Sequence, residues 1–180
     1  TAAFIALDNL LGEDGVERWV GAIEAVADEP DNARPIAELA TVIEELAADA
    51  TGDKWVVARG ERNGSELFVS ANRAIKRVDH LLLDMHVAVA VTLNEPDERG
   101  MPHADEMTEL ETLEEALLDT LGDDAVYIAR ETHQGVRTIH LHVMEGGPAA
   151  GLIAQWRQSY PERTVAVDVA SDPRWDVLER

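Results

Sequence analysis

Cysteine is absent from the 180 residues, which excludes a disulfide framework, a thiolate zinc site and a cysteine nucleophile. Lysine is nearly absent: Lys54 and Lys76 are the only two, so arginine supplies the rest of the 15 cationic residues, against 36 acidic ones. The formal net charge is -21. So negative a chain lacks the clustered cations that phosphate contacts require, which excludes a general nucleic-acid binder. It is equally unsuited to anionic membrane surfaces. No apolar run approaches the roughly 20 residues of a membrane span. The opening Thr1-Ala2-Ala3-Phe4-Ile5-Ala6-Leu7 lacks the basic start and long apolar run of a secretory signal. A cytoplasmic protein is the expectation, and the missing initiator methionine suggests a trimmed chain or a domain excised from a longer one. Aromatic residues make up only 4% of the chain, so Trp19, Trp55, Trp156 and Trp175 are expected to anchor packing. No serine nucleophile elbow is present, and no histidine–carboxylate pair has a nucleophile at diagnostic spacing.

What is present is a globular pattern, with 46% hydrophobic residues and a length that fits one domain with an appendage or two small ones. Val16, Trp19, Val20, Ile23 and Val26 recur at three- and four-residue steps and predict an amphipathic helix. Pro30 and Pro35 break the pattern. Ile36, Leu39, Ala40, Ile43, Leu46 and Ala47 predict a second helix, ended by Thr51-Gly52-Asp53. The strand-like runs at Trp55 and Leu67 flank Asn63-Gly64, a strong hairpin signal. Between Asp84 and Leu93 the residues Met85, Val87, Val89, Val91 and Leu93 alternate with smaller or polar ones, as in a strand with one buried face. A helix from Pro102 to about Leu121, capped by Gly122, follows. Strands at Ala125–Thr132 and Val136–Met144, a helix carrying Leu152, Ile153 and Trp156, and a strand at Thr164–Ala170 complete the chain.

The order strand-helix-strand-strand-helix-strand predicts an α+β protein with a ferredoxin-like plait at about 84–171. Residues 1–52 are expected to form an N-terminal helical hairpin, and 53–180 an α+β domain that includes the preceding β-hairpin. Gly100-Met101-Pro102, Leu113-Glu114-Glu115-Ala116-Leu117, Thr132-His133-Gln134-Gly135-Val136-Arg137 and Asp172-Pro173-Arg174-Trp175 form an ordered set. In these motifs the chain, from about Trp55 to Trp175, resembles the bacterial domain-of-unknown-function family 695. The resemblance implies no established activity. It implies interaction work, since members are found beside domains resembling a regulator of ribonuclease activity.

Three constellations could carry chemistry. His140 and His142 share one strand face at a spacing of about 7 Å, and His86 and Asp168 face the same way on their own strands. Three imidazoles and a carboxylate would suit a divalent metal ion and hydrolysis through bound water. The same histidines, beside Ala88, Ala90 and Thr138, equally suit a half-covered sheet face. Thr132 and Arg137 are candidates for binding an anion. Arg137 alternates with the histidines, so it faces the helices and needs a carboxylate there; Glu114 or an acid at the helix end is the natural partner. Glu106, Glu109, Glu111, Glu114 and Glu115 lie on a helix without lysine or arginine, either as a solvated face or as a surface for a basic partner.

These features predict a non-catalytic regulatory or interaction module working through protein contact or small-ligand sensing, with no resident cofactor. The open sheet face is its expected binding or dimerisation surface. The second reading is a metal-dependent hydrolase built on His86, His140 and His142.

Overall fold

The computed structural model describes residues 2–20, 23–24, 26, 28–49 and 52–176. The architecture is α+β: one antiparallel six-stranded sheet with helices. In chain order the elements are α1 (Ala2–Trp19), α2 (Glu38–Asp49), β1 (Trp55–Arg62), β2 (Ser65–Asn72), β3 (Met85–Thr92) and α3 (Ala104–Leu121). They continue with β4 (Ala125–His133), β5 (Val136–Val143), α4 (Ala149–Gln158) and β6 (Val165–Ser171). Across the sheet the order is β1-β2-β4-β5-β3-β6.

The N-terminal reading needs correction. The first helix begins at Ala2, bends at Gly12 (φ 72°, ψ 164°) and ends at Trp19. Ile23 and Val26, the second half of the expected stripe, are outside it and 39% and 62% exposed. An amphipathic stripe becomes a helix mainly when tertiary packing covers it, and the buried residue of α1 is Leu7 instead. Gly21, a weak helix former, also follows closely on Trp19. The second helix lies two residues later than expected, leaving Ile36 ahead of it and exposed. Of its expected terminator, Thr51 lies outside the described residues. The two helices touch, and α1 leans on a short turn of helix at Arg77–Asp79 through the ion pairs Arg18–Asp79 and Glu17–Arg77.

Both tight hairpins turn on two residues of positive φ, Asn63 (54°) with Gly64 (76°) and Gln134 (48°) with Gly135 (75°). That geometry matches the right-handed twist of the flanking strands. On one sheet face Val87, Val89 and Val91 of β3 and Ile139, Leu141 and Val143 of β5 meet Leu110, Leu113, Leu117 and Leu121 of α3. Ala149, Ile153 and Trp156 of α4 complete this core. Trp156 Nε1 donates to the Leu113 carbonyl at 3.2 Å and ties α4 to α3. On the opposite face Ile128, Ala129 and Trp175 form a second cluster with Ala71, Ile75, Leu83 and Val126. A bulge at Tyr127/Ala129 in β4 leaves Ile128 unpaired, and Ile128 is fully buried in that cluster.

The hairpin β1–β2 continues the sheet past β4, beyond the core that the helices cover. Val57 and Phe68 therefore stand at the margin of the helical layer, and the space between them and the start of α3 is a cavity.

Candidate functional site

The cavity, about 250 Å³, is lined by Val57, Phe68, Val69 and Ser70 from the hairpin and Met101 and Pro102 from the loop before α3. Met107 of α3, Arg130 and Thr132 of β4 and Arg137 of β5 complete the wall. Register explains the polar set. Thr132 pairs with Arg137 across β4–β5, Phe68 with Thr132 and Ser70 with Arg130 across β2–β4, so all five project from one face of the sheet.

Thr132 and Arg137, expected together, are together: Arg137 Nε donates to Thr132 Oγ1 at 3.3 Å. The expected carboxylate partner is not there. Glu114 is turned to Tyr127, whose hydroxyl donates to it at 2.7 Å, and to Arg130 at 3.3 Å. Glu114 bonds Arg130, which lies on the same sheet face two pairs along from Arg137, and leaves Arg137 without a carboxylate partner among the described residues. Arg137 is only 4% exposed. Its Nη2 meets the Met107 sulfur at 3.0 Å, and its Nη1 has no partner among the described residues. Burial, and then the neighbouring Arg130 charge, hold the guanidinium pKa below its ordinary value.

The two motifs at positions 100–102 and 132–137 are in contact at this place. Gly135 N donates to the Gly100 carbonyl at 3.0 Å, and a Cβ on Gly100 (φ 77°) would lie 2.8 Å from Gln134 Cα and from Gly135 N. Only glycine lets the loop lie so close to the β4–β5 turn. Asp97 holds the loop from within, accepting from the amides of Arg99 and Met101 at 2.9 and 2.8 Å. Met101 and Pro102 are thereby set against Thr132 and Arg137.

The three histidines also meet, on the other face. His86 pairs in register with His142, and Ala88 with His140. His86 Nε2 and His140 Nδ1 lie 3.0 Å apart and share one hydrogen. His142 Nδ1 must donate to the Leu83 carbonyl at 3.2 Å, leaving its Nε2 buried, with no hydrogen-bond partner among the described residues, and 3.5 Å from an Asp172 oxygen. Burial depresses all three imidazoles, His140 and His142 to about 4, so they are neutral at pH 7. The ring nitrogens face each other, a carbonyl and Asp172 rather than a common point. A metal ion needs several at about 2 Å from one centre, and among the described residues no three His, Asp or Glu groups could hold one. Asp168, expected as the fourth ligand, pairs with Ala88 on the exposed β6 and its charge is felt at His86, though less than that of Asp172, which lies nearest His142. Nor is this part of the sheet open. Trp175 lies flat on His142, ring centroids 4.1 Å apart, and donates through Nε1 to the Leu83 carbonyl at 2.8 Å.

Of the five glutamates expected to form an acidic face, Glu106 and Glu114 are buried. Glu106 accepts from the Asn94 amide and from Arg163, each at 2.6 Å. Burial alone would raise its pKa, yet these bonds hold it below the ordinary value. Glu109 pairs with Arg163 while largely exposed, and Glu111 and Glu115 are on the surface. Sequence reasoning missed Val57, Phe68, Met101, Met107 and Arg130 as cavity residues. The shared period-two face of Thr132, Arg137 and Arg130 was the signal for the last.

Fold and site together define an α+β domain whose sheet outruns its helices and leaves a cation in an apolar cavity. The chain belongs to a family of unknown function (DUF695), which it matches over residues 53–179. That span contains all six strands and every residue lining the cavity. No curated protein and no solved structure matches the chain.

Proposed function

We propose that the protein is a non-catalytic regulatory module that binds a small anion in the cavity at Arg137. One observation carries this reading: a guanidinium 4% exposed, with no carboxylate partner among the described residues, in a chain of 36 acids. An unpaired buried charge is destabilising by several kcal/mol. With acids in such excess, its isolation points to a counter-ion supplied from outside. The cavity wall contains no His, Asp, Glu, Cys or Lys, so no general base lies there to activate the Ser70 and Thr132 hydroxyls, and the wall suits recognition. Glu111 and Glu115, exposed on α3, supply a surface for a basic protein partner.

For the fold, we read β3-α3-β4-β5-α4-β6 as a ferredoxin-like plait to which β1–β2 adds two strands at the β4 side. The element order and the packing of both helices on one sheet face support it.

The test is a thermal-shift series with small anions (acetate, benzoate, sulfate, phosphate) on the wild-type chain and on Arg137→Gln. At least one anion is expected to raise the wild-type Tm and leave the variant unmoved. Equal shifts in both proteins, or none in either, would sink the reading.

A further inference from the structure

We infer that the anion this cavity takes is a monocarboxylate carrying a short apolar tail, an inference that rests on the anion-site reading above. Charge sets the valence. Arg130 is already neutralised by Glu114, which leaves Arg137 as the one uncompensated cation in the wall. A dianion would carry an unmatched negative charge into a low-dielectric space beside Glu114, within a molecule of net charge -21.

Geometry sets the head group. The Nε edge of Arg137 is occupied by Thr132, whereas the terminal edge is nearly unpaired: Nη1 is buried with no partner among the described residues and Nη2 faces only a thioether sulfur. Sulfur is a weak acceptor, and Met107 is a flexible side chain that can move aside. A planar carboxylate can take both terminal nitrogens at once in a forked, charge-assisted pair, exchanging one weak acceptor for two strong ones.

The walls set the rest. Val57, Phe68, Met101, Pro102 and Met107 form an apolar lining that rewards a hydrocarbon body. The volume of about 250 Å³ lies below the roughly 300 Å³ at which sites for drug-sized ligands begin. The tail is therefore short, an aliphatic chain of a few carbons or a single aromatic ring.

Calorimetric titration of the full chain tests this with five probes: hexanoate, benzoate, acetate, hexanamide and inorganic phosphate. Hexanoate or benzoate is expected to bind one-to-one, at least tenfold tighter than acetate and tenfold tighter than uncharged hexanamide. Arg137→Lys, which keeps the charge but loses the fork, is expected to weaken that binding at least tenfold. Val57→Trp, placed at an exposed strand position and filling the cavity, should do the same without touching the buried cation. The Val57 variant keeps the test decisive if substitutions at Arg137 do not fold. Phosphate bound in preference to the carboxylates would overturn the ligand class while leaving the anion site standing. Hexanamide bound as tightly as hexanoate would overturn recognition by charge. Failure of all five probes would overturn both the class and the site.

Discussion

At the scale of single residues, Arg137 has no carboxylate within ion-pair distance among the described residues, and its substitution has a predictable sign. Replacing an unpaired buried cation by an apolar side chain of similar volume removes a desolvation penalty. Arg137→Met is therefore expected to raise the unfolding free energy in urea by on the order of 1 kcal/mol or more; a drop of that size would mean the guanidinium holds the fold together. The histidines give a prediction in pH. Their folded pKa is depressed, to about 4 for His140 and His142, against 6.5 unfolded. The unfolded chain takes up protons first as pH falls, so the stability present above 6.5 is lost progressively down to about 4. For His142 the loss is about 3 kcal/mol. Urea titrations at stepped pH should show it, and His142→Phe, which preserves the stack on Trp175, should flatten the slope. Glu106, whose pKa is held below the ordinary 4.5, adds a loss that begins as pH falls through that unfolded value and is complete only below the folded one. A zinc titration by calorimetry is expected to show no one-to-one binding that His140→Ala abolishes; such binding would overturn the ring orientations described above. At this scale the sequence was half legible. Alternation alone placed Arg137 with Thr132, and the three histidines on one face. It could not say which arginine Glu114 would choose, nor which aspartate would approach His142, because both depend on side-chain conformation and on a turn distant in sequence.

At the scale of elements, the loop before α3 rests on one glycine. Gly100→Ala meets both a positive φ and a backbone contact at 2.8 Å. It is expected to lower stability by at least ~2 kcal/mol and to loosen Met101 and Pro102 from the cavity. Gly146→Ala is the control, since φ there is 70° with open space around the Cβ. It should lose only the conformational term, about 1–2 kcal/mol, as read by urea denaturation; equal losses at both positions would mean the close approach carries no weight. The strands and hairpins were legible because each is specified locally, by period-two burial or by turn residues that tolerate positive φ. The first helix was not. Its stripe from Val16 to Val26 is as regular as any in the chain, yet periodicity states only what could be buried. Whether a partner surface exists there is a property of the fold.

At the scale of the whole molecule, a net charge of -21 opposes the approach of any anion, even to a site with a local positive charge. Added salt screens that distant repulsion, the Debye length falling from ~30 Å at 0.01 M to ~8 Å at 0.15 M, but reaches a buried pair far less. Carboxylate affinity is therefore expected to rise a few-fold over this range with a non-competing salt, the reverse of ordinary ion pairing. Affinity that falls steeply with salt would place the anion on the surface. Charges of both signs guard the sheet margins. The outer strands β1 and β6 are almost wholly exposed and carry Arg59, Glu61, Arg62 and Asp168, a usual protection against edge-to-edge pairing.

The stack of Trp175 on His142 gives the molecule an optical gauge of its own interior. An imidazolium quenches the fluorescence of an indole lying against it, whereas a neutral imidazole does so far less. Trp175 should thus dim when a proton reaches His142, and the emission colour should stay that of a buried indole until the chain opens. Acidification would be seen in brightness first and in wavelength afterwards.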